Sequence, residues 1–229
     1  MALRVVTWNL FHGRSLPPRN HDLMHLFAER LRTWEWEVAL LQEVPPWWGP
    51  HLAAACDADQ RTALTSRNQL LPLRRAIARR WPEAIKSGGG GANAILVRGA
   101  RIELHARRRL CLWPERRVVH AVRDDRGRWF ANLHATVHDD PRARREIALA
   151  GETALRWAHG APLIVGGDLN VRDPAPPAPL THLAGHGVDH LYGAGRAIRA
   201  PGARRELLDR GDLSDHAPLR VAVEIGQPS

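Results

Sequence analysis

Lysine is almost missing from this chain of 229 residues: Lys86 is the only one, so nearly all of the positive charge is arginine. Cysteine is scarce too. Cys56 and Cys111 are too few for a disulfide framework, and no cysteine pair has zinc-finger spacing. No run approaches the roughly 20 apolar residues of a membrane-spanning helix, so no membrane partner is expected. The opening Met-Ala-Leu-Arg-Val-Val-Thr-Trp-Asn lacks the charged-then-apolar plan of a secretory signal, and a cytoplasmic protein is expected. Ser87 to Gly91 is glycine-rich, but no Lys-Ser/Thr follows, which excludes a phosphate loop and leaves a tight connection. No internal repeat and no linker divides the chain. One domain over residues 1–229 is expected, acting as a monomer.

What is present is basic. A net charge of +9 and a pI near 11.2 favour polyanionic partners, nucleic acid or phospholipid surfaces. Arginine suits them, because its planar fork binds two phosphate oxygens at once. The chain is organised around Pro162 to Asn170. Leu163, Ile164 and Val165 form a short β-branched run that reads as a buried strand. Gly166 and Gly167 let the backbone bend and leave no side chain between it and a ligand. Asp168 and Asn170 then deliver a carboxylate and a carboxamide side by side, an arrangement suited to a hard cation or a phosphate.

Other strands end the same way. Arg4 to Asn9 is the first, followed by a loop carrying His12 and Arg14. Asn20 caps a helix starting near His21, with Leu23, Leu26, Phe27, Leu31 and Trp34 as its apolar stripe. Val38 to Leu41 runs into Gln42 and Glu43 and stops at Pro45. Trp47 and Trp48 open a short helix through Ala55 and pack under a loop. Leu70 to Trp81 is a helix bearing Arg74, Arg75, Arg79 and Arg80, a charge run of the kind that marks a solvated face. Asn93 to Val97 begins with Asn93 facing a site. Arg101 to Leu110, Arg117 to Arg123 and Trp129 to His134 read as antiparallel strands, the last two joined by the turn Asp124 to Gly127. A helix from Pro141 or Arg142 leads back to the organising strand. Asp173 to Pro179 is a proline-rich loop at the rim of a cleft. Val188 to Tyr192 carries Asp189, Glu206 to Leu208 is a weaker strand, and Ser214-Asp215-His216 precedes the final strand, Leu219 to Ile225.

The ordered set Thr7-Trp8-Asn9, Leu41-Gln42-Glu43, Asn132-Leu133-His134, Gly167-Asp168-Leu169-Asn170, Val188-Asp189-His190 and Ser214-Asp215-His216 resembles the endonuclease/exonuclease/phosphatase (DNase-I-like) superfamily. The resemblance implies an α/β fold, a four-layer α/β sandwich of two mixed, mostly antiparallel sheets packed face to face with helices outside. It also implies phosphoester hydrolysis by in-line attack of water, assisted by Mg²⁺ or Mn²⁺. Glu43 is then the principal metal carboxylate, with Asn9 beside it as a further metal ligand or on the phosphate, and Asp215 as an additional metal-side carboxylate. Asp168 orients and deprotonates the water, and Asn170 holds the phosphate. His216 donates to a phosphate oxygen with Asp189 on its other nitrogen, and His134 is the second histidine on the phosphate. Arg14, Arg117 and Asn93 are candidates for substrate binding, with Arg172 also near the mouth. His12 is given at most a rim contact, and His138 and His190 no role. Leu10-Phe11-His12-Gly13 lacks the aspartate that abasic-site endonucleases carry after the asparagine, which speaks against a full abasic-site assignment. The function expected is a metal-dependent nuclease, DNA first. The alternative is a phosphatase or phosphodiesterase on a small or lipid-derived phosphoester, for which Pro45 to Trp48 hints at a membrane-touching loop.

Overall fold

The first strand, β1 (Ala2–Asn9), is buried on both faces beyond Arg4, as a central strand with a partner layer on each side must be. Its alternate residues feed two cores. Val6 and Trp8 turn towards helices, while Leu3 and Val5 turn towards a second sheet. The computed structural model describes residues 2–65, 68–86, 91–113, 115–195 and 198–225; of the glycine-rich connection read at Ser87 to Gly91, only Gly91 falls within them. After β1 come a 3₁₀ turn (Phe11–Gly13), α1 (Met24–Thr33), β2 (Val38–Val44), α2 (Gly49–Ala55) and β3 (Ala58–Leu64). Next are α3 (Leu71–Arg80), α4 (Pro82–Ile85), β4 (Ala92–Arg98), β5 (Ile102–Cys111), β6 (Arg117–Asp124) and β7 (Trp129–His134). The chain finishes with α5 (Asp140–Ala158), β8 (Leu163–Asp168), β9 (Thr181–His186), β10 (Asp189–Ala194), β11 (Ile198–Leu207) and β12 (Leu219–Ile225).

Two six-stranded sheets result, ordered β11-β12-β1-β2-β4-β3 and β5-β6-β7-β8-β10-β9. All neighbours are antiparallel except β1 with β2 and β7 with β8. Those two pairs are the ones joined through a long helix, α1 and α5, because parallel strands need a crossover. The two crossovers place Asn9, Glu43, His134 and Asp168 at one end of the sandwich. α1 and α2 cover one sheet through Phe27, Leu31, Trp48 and Leu52, and α5 covers the other through Ala143, Ile147, Ala150 and Ala154. Between the sheets lie Val5, Leu40, Ile95, Phe130, Ile164 and Val221. This is the four-layer sandwich the sequence predicts. Among the described residues no helix is long and apolar enough to cross a membrane.

Local details differ from the expectation at α1. Asn20 does not cap it; the helix starts at Met24, whose N–H is taken at 3.0 Å by Asp22 Oδ1. β3 and β9 are strands the sequence did not announce, and β11 is longer than read. At the other hairpin the turn chemistry holds, because the fully buried Asp124 accepts from the Arg126 and Arg128 N–H groups and pairs with the Arg128 guanidinium.

The inter-sheet layer also holds His120, fully buried, with Nδ1 3.3 Å from His105 Nε2. Burial, and then the neighbouring His105, push its pKa down to about 3. Above about pH 6.5 the imidazole is neutral in both folded and unfolded chains and adds no slope. Below that the unfolded chain takes up a proton the folded chain refuses, so stability falls as pH drops towards 3, by at most about 1.4 kcal/mol per pH unit. Wild type is therefore expected to lose urea stability more steeply than His120→Gln between pH 6 and 4. Equal slopes would show that His120 does not carry this term.

Candidate active site

Each chemical group in the cleft is delivered by a strand that has just left the core. β1 ends at Asn9, β2 at Glu43, β7 at His134 and β8 at Asp168, and the loop before β12 brings Asp215 and His216. Together with Phe11, His12, Arg14, Arg117 and Asn170 they line a cleft of about 350 Å³. Backbone strain gathers here: Phe11, His12, Glu43, Asn170 and Ser214 all hold φ between 49° and 61° without being glycine. At Glu43 the cause is visible. The pairing of β2 with β4 slips between Leu41 and Val44, and this bulge swings the carboxylate out of the sheet into the cleft.

Asp168 sits at the centre, 1% exposed. Asn9 Nδ2 donates to its Oδ2 at 2.9 Å and the Asn170 N–H to its Oδ1 at 3.1 Å, which fixes the carboxylate plane. His134 Nε2 and His216 Nε2 stand 3.5 and 3.7 Å from the same Oδ2. Behind His216, Asp189 Oδ2 lies 2.8 Å from Nδ1. Burial opposes charge on this imidazole, but the hydrogen bond and charge of Asp189, with Asp168 and Asp215, overcome it and raise the pKa to about 9. The carboxylates around it thus favour the imidazolium form of His216, with Nε2 turned into the cleft. His134 behaves oppositely: burial, then the charges of Arg117, His12 and His216, hold its pKa well below the ordinary value, and it is neutral.

Glu43 is pushed up to about 7 by burial and by repulsion from Asp168 and Asp215. Asp168 is also raised, by burial and Asp189. A cleft that crowds carboxylates until they resist ionising is one a cation would relieve. Asp168, Asp189 and His216 bring ligand atoms within 4.8 Å of one another. That trio is better described as a histidine–carboxylate pair facing a second carboxylate than a metal cage, because Asp189 Oδ2 is hydrogen-bonded to Nδ1 at 2.8 Å and Nε2 faces Asp168 Oδ2 at 3.7 Å. The oxygen donors on the open side, Glu43 and Asp215, suit Mg²⁺ or Mn²⁺.

Several supporting contacts escaped the sequence reading, although the motifs hold most of their residues. Gln42 Nε2 donates to Asn132 Oδ1 at 2.8 Å across the two sheets, and Asn132 Nδ2 donates to the Leu41 and Ala94 carbonyls. One bolt therefore joins the residue before Glu43 to the residue two before His134. Asn132→Leu would remove three buried hydrogen bonds, the one from Gln42 Nε2 (which keeps Thr7 Oγ1 and the Leu40 carbonyl) and the two to the Leu41 and Ala94 carbonyls, at a cost of about 3 kcal/mol. Its urea midpoint should fall accordingly, and turnover should fall further than KM rises, since the sheet ends would part; an unaltered midpoint would remove the bolt. Ser214 is fully buried and donates to the Asn9 carbonyl at 2.6 Å, and Trp8 Nε1 donates to the His216 carbonyl at 3.1 Å. Those two bonds hold the last loop against β1. His12, expected only at the rim, lies with Nε2 3.2 Å from Glu43 Oε2. Behind His134, the buried Glu146 of α5 accepts from the N–H and hydroxyl of Thr136.

Other expectations are corrected. Asn93 does not line the cleft; it is 1% exposed between the sheets with Nδ2 turned to the Val118 carbonyl. Arg172 lies outside the cleft, and so does the loop 173–179, which lies against α5 with Pro177 beside Gly151. Gly166 and Gly167 serve neighbouring strands rather than a ligand: a Cβ would lie 2.1 Å from the His190 carbonyl oxygen or 2.0 Å from that of Leu133. α3 buries no residue, and none of its arginines reaches the cleft. Arg14 and Arg117 do line it, Arg14 stacked on Phe11 and Arg117 buried and paired with Glu115 at 2.9 Å.

Fold and cleft together define a two-sheet phosphoesterase sandwich. The family model described as Endonuclease/Exonuclease/phosphatase family matches residues 6–216, and the chain belongs to that family of metal-dependent phosphoesterases. No curated protein sequence matches it. Among solved structures it is similar to truncated TDP2 of Caenorhabditis elegans, with 16% identity and a TM-score of 0.70 over 98% of each chain. It is similar to an endonuclease/exonuclease/phosphatase of Bacteroides vulgatus, with 14% identity and a TM-score of 0.70 over 99% of this chain and 100% of the other. The human Nocturnin catalytic domain with bound sulfate matches at 17% identity and a TM-score of 0.69, over 98% of this chain and 95% of the other.

Proposed function

We propose that the chain is a single-domain, divalent-metal-dependent phosphodiesterase that hydrolyses nucleic-acid phosphodiester bonds, DNA first, by in-line attack of water. The observation that carries this reading is the convergence of Glu43, Asp168, His134, His216 and Asp215 on one cleft walled by Arg14 and Arg117. Glu43 and Asp215 would hold Mg²⁺ or Mn²⁺. When bound, the ion neutralises charge on a phosphoryl oxygen and on the departing oxygen. Asn9 aligns Asp168 through Nδ2, while its own Oδ1 accepts the Phe11 N–H. Asp168, held in one plane, orients the attacking water and takes its proton. His216, charged through Asp189, donates from Nε2 to a non-bridging oxygen, and neutral His134 completes the pocket for the phosphate. Asn170 is anchored to the Ala135 carbonyl and faces the same space.

The net charge and the arginine-walled cleft favour nucleic acid over a lipid. Pro45 and Trp48 are buried, and Trp48 packs on Phe27 at 5.3 Å, so that loop offers only the partly exposed Pro46 and Trp47 to a membrane. A metal-dependence panel on plasmid, single-stranded DNA, RNA, an abasic duplex and a chromogenic phosphodiester tests the reading. Mg²⁺- or Mn²⁺-dependent cleavage of DNA is expected. Turnover of the chromogenic ester alone would move the substrate to a small phosphoester.

A further inference from the structure

The arginines of β5 are not accounted for by the cleft. β5 is the edge strand of its sheet, and Arg107, Arg108 and Arg109 are exposed on it. Strand alternation splits them. Arg108 turns to α5 and donates to Thr153 Oγ1 at 2.9 Å, whereas Arg107 and Arg109 share the opposite face, about 7 Å apart. Neither makes an ion pair with a described residue. Arg61, on the edge strand β3 of the other sheet, pairs with Asp59 at 2.9 Å, reaches the same place and donates to the Ile102 carbonyl at 3.2 Å. Besides burial, the charges of Arg61 and Arg107 lower the pKa of His105, so these guanidinium groups converge on one field.

This basic row runs back to the cleft. Arg116 donates from Nε to the Thr65 carbonyl at 2.9 Å, and Thr65 and Glu115 both line the cleft wall. Two residues before Glu115, Trp113 is 79% exposed. Its backbone is nevertheless anchored, because the carbonyl accepts from Cys111 Sγ at 2.9 Å and from Arg142 Nη1 at 3.0 Å. An exposed indole on an anchored backbone, in the loop that follows the strand bearing Arg107 and Arg109, offers what a single nucleic-acid strand needs: one flat ring for a base and cations for phosphates. Arginine on an edge strand also deters strand pairing, but that role explains neither the one-sided row nor the exposed ring. A membrane contact would ask for a broad apolar surface, and among the loop's described residues only Leu112 is exposed besides the indole.

We propose that Arg107, Arg109, Arg61 and Arg116, with Trp113 as a stacking platform, form a track for a single strand of nucleic acid passing between the cleft and the edge of β5. The track rests on the nucleic-acid reading above and specifies the strand state and its path.

The test is fluorescence anisotropy of a short and a long single-stranded oligothymidine in EDTA, across a salt series. The probes are bound by wild type, Arg107→Gln/Arg109→Gln and Trp113→Ala, each checked for an unchanged thermal midpoint. Wild type should hold the long probe more tightly. The double variant should lose that advantage and reduce the slope of log affinity against log salt by about 1.4, about 0.7 per lost phosphate contact. Trp113→Ala should weaken binding about tenfold while leaving the slope intact. Unchanged slope and length dependence in the double variant, with wild type binding well, would overturn the track and leave the nucleic-acid reading standing. Loss of binding to phosphatidylglycerol vesicles by Trp113→Ala, with oligothymidine binding unaffected, would assign the surface to a membrane and also overturn it. Wild type that binds neither probe at low salt, yet cleaves a chromogenic phosphodiester, would overturn both readings.

Discussion

Glu43→Gln is expected to lower Mg²⁺-dependent turnover by on the order of 10³-fold at limiting metal, equivalent to about 4 kcal/mol, while leaving the fold intact. Gln matches the shape of Glu but cannot ionise, whereas Glu43, whose pKa burial and two neighbouring carboxylates push up to about 7, can give up its proton to a cation. A cation in the cleft would lose its principal anionic donor. Part of the loss should be recovered by raising the metal concentration, because Asp215 remains. Direct titration with Mn²⁺ provides a readout that does not depend on catalysis, and the variant should bind the ion more weakly by a comparable factor. Glu43→Gly sharpens the point. Glu43 holds φ at 49°, a conformation glycine adopts freely, so Glu43→Gly should be as stable as wild type or more so while losing the same activity. Near-normal Mn²⁺ affinity in Glu43→Gln would place the metal elsewhere.

The strain at Glu43 also shows what a sequence can and cannot announce. Asn9, Glu43, His134 and Asp168 were legible because each closes an apolar, β-branched or otherwise core-forming run, and polar groups there signal a strand mouth. The sheets behind them were legible for the same reason. β3 and β9 were not, since Ala58–Leu64 and Thr181–His186 are edge strands whose partly exposed residues show little apolar alternation. Asn93 misled because a polar residue at a strand start looks identical whether it faces a cleft or the gap between sheets; only the packing of its face of β4, where Ile95 and Val97 meet the second sheet, settles it. Gln42 and Asn132 could not be paired from sequence, as their contact joins residues 90 apart across the two sheets. His12 was hidden differently. Its approach to Glu43 depends on a left-handed backbone at both Phe11 and His12, which side-chain pattern does not encode.

The largest remaining effect concerns His216 and Asp189, which are expected to act as one unit. A histidine beside a divalent ion tends to lose its proton, since two positive charges share a small space. Asp189 opposes that from the far side at 2.8 Å, and with Asp168 and Asp215 it raises the pKa of the ring to about 9, which favours the charged form. His216→Ala removes the donor and should lower turnover by on the order of 10²-fold or more. Asp189→Asn keeps the side-chain size but replaces the carboxylate with a neutral amide. The imidazole then loses most of the support for its proton, and its ring loses the partner that fixes the direction of Nε2. A large part of the same loss in turnover should follow, with little change in KM. The double variant should be only slightly worse than His216→Ala, because Asp189 has nothing left to support once the ring is gone. Turnover of the two single variants and the double, measured at saturating metal, decides the matter. Fully additive losses would mean that Asp189 acts on some other group, and the pairing across 2.8 Å would be structural rather than catalytic.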